Sequence, residues 1–137
     1  ARVYHDASQS INDDTATALA FNNELFDTDS IHDNSTNNSR LTAKTAGVYH
    51  VWGNVRFAAN STGDRQIFFR VDGSDIVQNY QDEAGAAAFI ISQSAIVKLD
   101  ENSYVECLVV QTSGGSLNVA SNPRYSAEFA MAMVGIG

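Results

Sequence analysis

Few side chains in this chain can do covalent or metal chemistry, and they are spread thinly. There are three histidines, His5, His32 and His50, and one cysteine, Cys107. Catalysis requires groups that converge on one reacting atom. A barrel-type metal site would set two histidines close together on one strand with a glutamate following, and no such segment exists here. Nor is there a Gly-x-Ser-x-Gly elbow, a phosphate loop or a Cys-x-x-Cys pair. The expectation is therefore not an enzyme, with no catalytic residues; a carbohydrate-active or metal-dependent enzyme is the alternative from another class. Cys107 lies in YVECLVV on the parity of Val105 and Val109. It reads as a small apolar filler of the core, because an activated thiolate wants an electropositive, partly open setting. His50 reads as an interface or hydrogen-bonded packing residue ahead of a metal ligand.

Two further chemistries have candidates. Hard cations take carboxylate and carbonyl oxygens from loops, and Asp27, Asp29 and Asp33 cluster in the polar loop DTDSIHDNSTNNS. They are the calcium candidates, the competing reading being solvated loop acids; Asp72 with Asp75 and Asp82 with Glu83 are lesser pairs. No other cofactor is expected. Tyr80, Tyr104 and Tyr125 fall near strand ends or on outward parities, where a ring could stack on a sugar, but scattered surface tyrosines need no special explanation. Asn34, Asn37 and Asn60 each open a glycosylation-type triplet, a pattern frequent in loops rich in asparagine and serine.

The elements that must position these residues are strands. The best helical stretch, TALAFNNELF, is interrupted by paired asparagines. Elsewhere short alternating runs are broken by NSTGD, VDGSD, LDENS and TSGGS, which supply Gly, Asn and Asp where positive φ is needed. Strands are predicted near Val3–Ala7, Ala18–Phe21, Arg40–Ala43, Gly47–Ala58, Gln66–Val71, Asp75–Tyr80, Ala87–Leu99, Ser103–Thr112, Leu117–Ala120 and Ala127–Val134. Many short strands with regular turns mean an all-β sandwich, jelly roll or barrel. With 137 residues there is room for one domain, residues 1–137, and one sizeable core.

The segment AGVYHVWGNVRFAA poses the main question. Tyr49, Val51, Val55 and Phe57 form one face; Val48, His50, Trp52, Asn54 and Arg56 form the other. An antiparallel strand with one wet face should not put the chain's only tryptophan there. The same doubling recurs: Ile90, Ser92, Ser94 and Ile96 lie behind Phe89 and Ile91, and Ala130, Ala132 and Val134 lie behind Phe129, Met131 and Met133. In a two-layer sandwich the second cover must come from outside the chain, and its simplest source is another copy. Trp52 would then be an interface residue; the alternatives are a scattered surface aromatic or a ligand-stacking one. The net charge of −8 argues against nucleic acid, and no apolar run is long enough for membrane insertion.

The span from Phe21 to Trp52 resembles the signature of the C1q/tumour-necrosis-factor-like superfamily: Phe21 in AFNNELFD, a polar loop, Leu41 in SRLTAKTAG, then Gly47 and Tyr49, with Val51 where an aromatic is usual and Ala46 where a proline is. QSAIVKLDENSYVECLVV resembles the family's paired strands around a charged turn, and AEFAMAMV its last strand, with Phe129 at the aromatic position. ARVYHDASQSI and LFDTDSIHDNS look similar to divergent bacterial and phage C1q-like domains, often carried on surface or tail-fibre proteins. The resemblance covers nearly the whole chain.

It implies a ten-stranded jelly-roll sandwich that assembles as a homotrimer with its inner sheet toward the threefold axis. The expected trimer interface is then His50, Trp52, Asn54, Ile90, Ser92, Ser94, Ala130, Ala132 and Val134. The expected core holds Phe21, Tyr49, Val51, Phe57, Phe69, Val105, Cys107 and Phe129. The implied role is a structural and recognition module on a virion surface or in an extracellular place: a phage fibre, head fibre or decoration knob, or else a secreted or surface bacterial adhesin. Its partners would be its own copies and a host-surface receptor or glycan, or a capsid or tail protein.

Overall fold

Alternation along each run, with Gly, Asn and Asp at the breaks, produces twelve strands and no helix among the residues described by this computed structural model, which are 1–82, 85–122, 124 and 126–136. The strands are β1 (Arg2–Tyr4), β2 (Gln9–Ile11), β3 (Thr17–Ala18), β4 (Asn23–Phe26), β5 (Arg40–Thr42), β6 (Gly47–Phe57), β7 (Arg65–Val71), β8 (Ser74–Gln81), β9 (Phe89–Leu99), β10 (Tyr104–Gln111), β11 (Leu117–Val119) and β12 (Glu128–Gly135). They form an antiparallel sandwich of the jelly-roll kind. One sheet has seven strands and runs β9–β6–β12–β1–β4, with β11 meeting β6 at Val119↔Phe57 and β2 beside β11. The other has five: β8–β7–β10, with β5 and β3 sharing the far edge of β10.

The sequence pointed to ten strands, and two were missed. Gln9–Ile11 is too short for alternation to register, and it becomes a strand through backbone pairing with β11. Asn23–Phe26 sits inside the stretch weighed as a helix; it is drawn into the sheet by β1, which pairs Arg2 with Phe26. The predicted Ala18–Phe21 moves to Thr17–Ala18, and the predicted start at Ala87 moves to Phe89. The long strands fall where the parity put them. In the turn between β7 and β8, Asp72 (φ 47°) and Gly73 (φ 87°) both take the left-handed conformation that a tight hairpin requires.

Between the sheets lies one core. Phe21, Tyr49, Val51, Phe57, Phe69, Val105, Cys107 and Phe129 are all buried in it. Phe129 bridges the layers, its ring stacked 5.5 Å from that of Phe21 and 5.9 Å from that of Phe69. Gly53 permits the close approach: a Cβ there would meet the Cys107 sulfur at 2.9 Å and the Phe69 ring at 3.1 Å. Burial pushes the Cys107 thiol up, away from the thiolate.

Two buried polar side chains fasten one end of the sandwich. Arg65, fully buried, donates to the carbonyls of Thr62 (3.0 Å), Asp64 (2.8 Å) and Asn60 (3.2 Å), which holds the loop after β6. Gln111 donates to the carbonyls of Ile11 (3.0 Å) and Gly115 (2.7 Å) and accepts from the Ser113 amide (2.8 Å). Both tie loop carbonyls to the end of the core, although Arg65 Nε is itself buried with no hydrogen-bond partner among the described residues.

Candidate functional site: an uncovered apolar sheet face

The strand that raised the question is the middle of the seven-stranded sheet. Along β6, Gly47, Tyr49, Val51, Gly53, Val55 and Phe57 are buried and the residues between them are not. Register then sets which side chains share the outward surface. Trp52 lies opposite Ser94 on β9 and Ala130 on β12, and Ala130 is opposite Arg2, which is opposite Phe26. The next row holds Ala132, His50 and Ile96. On the other side of Trp52, Tyr4, Glu128, Asn54 and Ser92 form a row, and Arg56 faces Ile90 beyond it. Eight of the nine residues assigned to an interface from the sequence are thus brought onto one surface. The ninth, Val134, sits where the β12 ladder slips between Met133 and Gly135.

This surface lacks a cover. Ile96 is 72% exposed and Ile90 52%, with Val134 at the slipped edge 58%, although each belongs to a residue type normally withdrawn from water. Its charges are few and partly matched. Arg2 binds Glu128 through Nε (3.1 Å) and Nη2 (2.6 Å), with its guanidinium 6.0 Å from the Trp52 ring centre. Asn54 Oδ1 is buried with no hydrogen-bond partner among the described residues. A cavity of about 570 Å³ opens on this face, with Trp52, His50, Ala130 and Ala132 as floor and Phe26, Thr28, Asp29 and Ile31 as wall. Arg2, Tyr4, Phe26 and Glu128 were not assigned here from the sequence. Glu128 shares the parity of Ala130 and Ala132 and was readable; the others join only through strand order, which no local pattern reveals.

The outside of the five-stranded sheet is different. Across it run Arg40, Glu106, Arg70 and Asp75, alternating in sign. Arg40 Nε lies 3.4 Å from Glu106 Oε1, Ser39 donates to the same oxygen at 2.7 Å, and Arg70 Nε lies 2.6 Å from Asp75 Oδ1. Phe68 and Leu108 are on this side too, yet they are buried, and the Arg70 guanidinium sits 5.9 Å from the Phe68 ring centre. Long charged side chains cover apolar rings here with their own stems.

The other candidates disperse. The calcium trio does not converge: among the described residues no group of three or more His, Cys, Asp or Glu side chains could hold a metal ion. Loop folding uses two of these carboxylates internally. Asp33 accepts from the amides of Ser35 and Thr36 and from the Ser35 hydroxyl, all at 2.9 Å; those bonds, the Thr36 amide foremost, hold its pKa below the ordinary range. For Asp27, partial burial pushes upward, but amide hydrogen bonds led by that from His32 (2.9 Å) outweigh it and leave the pKa lowered. Asp29 lines the cavity on the apolar face instead.

The three histidines lie on separate elements. His32 is buried between Glu24 Oε1 (3.0 Å) and the Asn38 carbonyl (3.1 Å), pinning the loop. His5 follows β1 and donates its amide to Ala127. Of the tyrosines, Tyr104 lies under the Arg40 guanidinium, 3.9 Å from its ring centre. Tyr80 bonds the Asp64 carboxylate, which pushes its phenol up to about 12. Tyr125 and Glu83 fall outside the described residues.

No protein-family model matches the sequence, and no curated protein sequence matches it. Solved structures do. The chain is similar to the globular domain of a zebrafish complement 1qA protein, with a TM-score of 0.64 at 13% identity over 96% of this chain and 99% of that one. It has a C1q/TNF-like fold. It is also similar to Eiger TNF from S. frugiperda (TM-score 0.70, 13% identity, 99% and 92% covered) and to murine APRIL (0.72, 9%, 97% and 96%). At these identities the likeness is one of C1q/TNF-like architecture, spanning nearly the full length of each chain.

Proposed function

We propose that this domain is a non-enzymatic recognition head that assembles as a homotrimer through the outward face of β9, β6 and β12. The single observation that carries the reading is that exposed face, where Ile90 and Ile96 stand in water on the side of the sheet that carries Trp52. Fully burying one such aliphatic side chain is worth roughly 1.5–3 kcal/mol, so several of them together give association a substantial driving force. A second copy is the favoured occupant on charge grounds. The chain carries −8 overall, which opposes self-association through most of its surface. This face is largely spared, because Glu128 is matched by Arg2, Asp29 shares its cavity with the Ala1 ammonium, and Arg56 and Lys98 stand near its rim. The small side chains of Ala130, Ala132, Ser92 and Ser94 let another backbone approach closely.

The C1q/TNF-like neighbours support an assembly of three and a receptor-type partner. In such a head the loops at the ends of the sandwich present the binding surface, and Arg65 and Gln111 pre-organise one set of them. Placement as a fibre tip or decoration knob of a virion, or on a bacterial surface, fits such a module; a receptor or glycan would be its ligand. Native mass in solution tests the assembly. Light scattering at micromolar concentration is expected to give three times the chain mass, and a folded single chain at that concentration overturns the proposal. A glycan array then tests recognition.

A further inference from the structure

Resting on the assembly just proposed, we infer that His50 makes association of the chains sensitive to pH, so that mild acid releases the copies from one another. The inference comes from where the imidazole sits. His50 is in the interior of the apolar face, between Ala132 on β12 and Ile96 on β9, with Val48 and Trp52 as its neighbours along β6. Its side chain is exposed in the single chain, and among the described residues no hydrogen bond or ion pair holds its ring. It is the one titratable side chain in its row.

The charged groups around it offer little to a protonated ring. On its own strand the nearest is Arg56, beyond Trp52 and Asn54. From β9 comes Lys98, opposite Val48. From β1 and β12 come Arg2 and Glu128, already bonded to each other. Across the cavity lie the Ala1 ammonium, which donates to the Met131 carbonyl at 2.9 Å, and the carboxylate of Asp29, with Asp27 and Glu24 near enough to act on that ammonium. These charges of both signs are taken up among themselves or stand at the rim, and among the described residues none is bonded to the His50 ring.

In the separated chain a charged imidazole faces water and costs little. Beneath a second copy it would be stripped of water among Ala132, Ile96 and Trp52, which disfavours the charged form and leaves the neutral form nearly untouched. The assembled state therefore holds protons less readily than the free chain. The sign follows: association is strongest where imidazole is neutral and weakens as pH falls through the range in which histidine takes up charge. Each imidazole can contribute up to about tenfold per pH unit, and three together about a thousandfold.

The test is sedimentation of the full chain over a dilution series at about pH 8 and about pH 5.5, which bracket histidine titration, with His50→Gln and His50→Phe run in parallel. The native chain is expected to have the three-chain mass at the higher pH and to dissociate at the lower one with its far-ultraviolet circular dichroism unchanged. Both variants are expected to keep their mass at both values; His50→Phe guards against a buried amide that weakens the contact in its own right. Equal assembly of the native chain at both values overturns the switch while leaving the trimer intact. The same acid loss in both variants also overturns it, since another group would then be responsible. Single chains at every pH would remove the trimer reading and the switch together.

Discussion

The two outer surfaces of this sandwich are built from the same kind of strand and reach opposite solutions. On the five-stranded sheet, Phe68 and Leu108 turn away from the core and are nonetheless buried, while Arg40, Glu106, Arg70 and Asp75 pair across the strands above and beside them. On the seven-stranded sheet, Ile90, Ile96 and Trp52 turn away from the core beside serines and alanines too short to cover them. Apolar residues at outward positions are thus common to both surfaces. What separates them is whether the chain supplies long charged side chains to close over those residues. The first surface is covered within one chain except at its β8 edge, where Ile76 and Tyr80 stay exposed; the second lacks such cover along its middle strands.

Replacing what the two surfaces share should have the largest effect. Phe129→Ala removes the ring that joins the layers through Phe21 and Phe69. It is expected to cost about 3–5 kcal/mol in urea unfolding, and a cost below about 1 kcal/mol would mean the core is not organised around that stack. Next comes Trp52→Asp, which puts a carboxylate on the uncovered face. Light scattering should show single chains whose circular dichroism still reports the β fold; an unchanged assembled mass would sink the placement of this face. On the other surface, Glu106→Gln interrupts the charge ladder and should lower stability by about 1 kcal/mol while the assembled mass stays the same. If this variant dissociates instead, the contrast between the surfaces has been drawn the wrong way round.

The smallest expected effect is local and lies away from both surfaces. Asp27 and Asp33 have lowered pKa values in the folded chain. Their stabilisation is complete above the ordinary aspartate value of 3.8 and is lost as pH falls through their lower folded values. Protection of the Ser35 and Thr36 amides against exchange, taken relative to an unstructured chain at the same pH, should fall over that acid range, and Asp33→Asn should show the lower protection already at neutral pH.

Much of this contrast was legible in the letters. Alternation over eleven residues, as in β6 and β9, fixes which side chains of one strand share a side, so His50, Trp52 and Asn54 fall together and so do Ile90, Ser92 and Ser94; that the two sets share one surface was implied by the family resemblance. Two kinds of feature were hidden. Strands of three or four residues, such as Gln9–Ile11 and Asn23–Phe26, form because a neighbour offers backbone groups, and their own side chains scarcely alternate. Arg65 was hidden because its type says surface, whereas its two terminal nitrogens donate to three carbonyls brought together by a loop. The acids of the Asp27–Ser39 loop misled in the opposite sense: carboxylates close in sequence suggested a shared cation, while two of them fold their own turns.

One strand separates two processes residue by residue. From Gly47 to Phe57 the odd-numbered side chains point inward and the even-numbered ones outward. A substitution scan along these positions should therefore return two interleaved profiles, one in the unfolding midpoint and the other in the dilution at which the copies part. Evolution could retune how strongly the copies cling by editing every second letter of this strand, leaving the fold's own stability almost where it was.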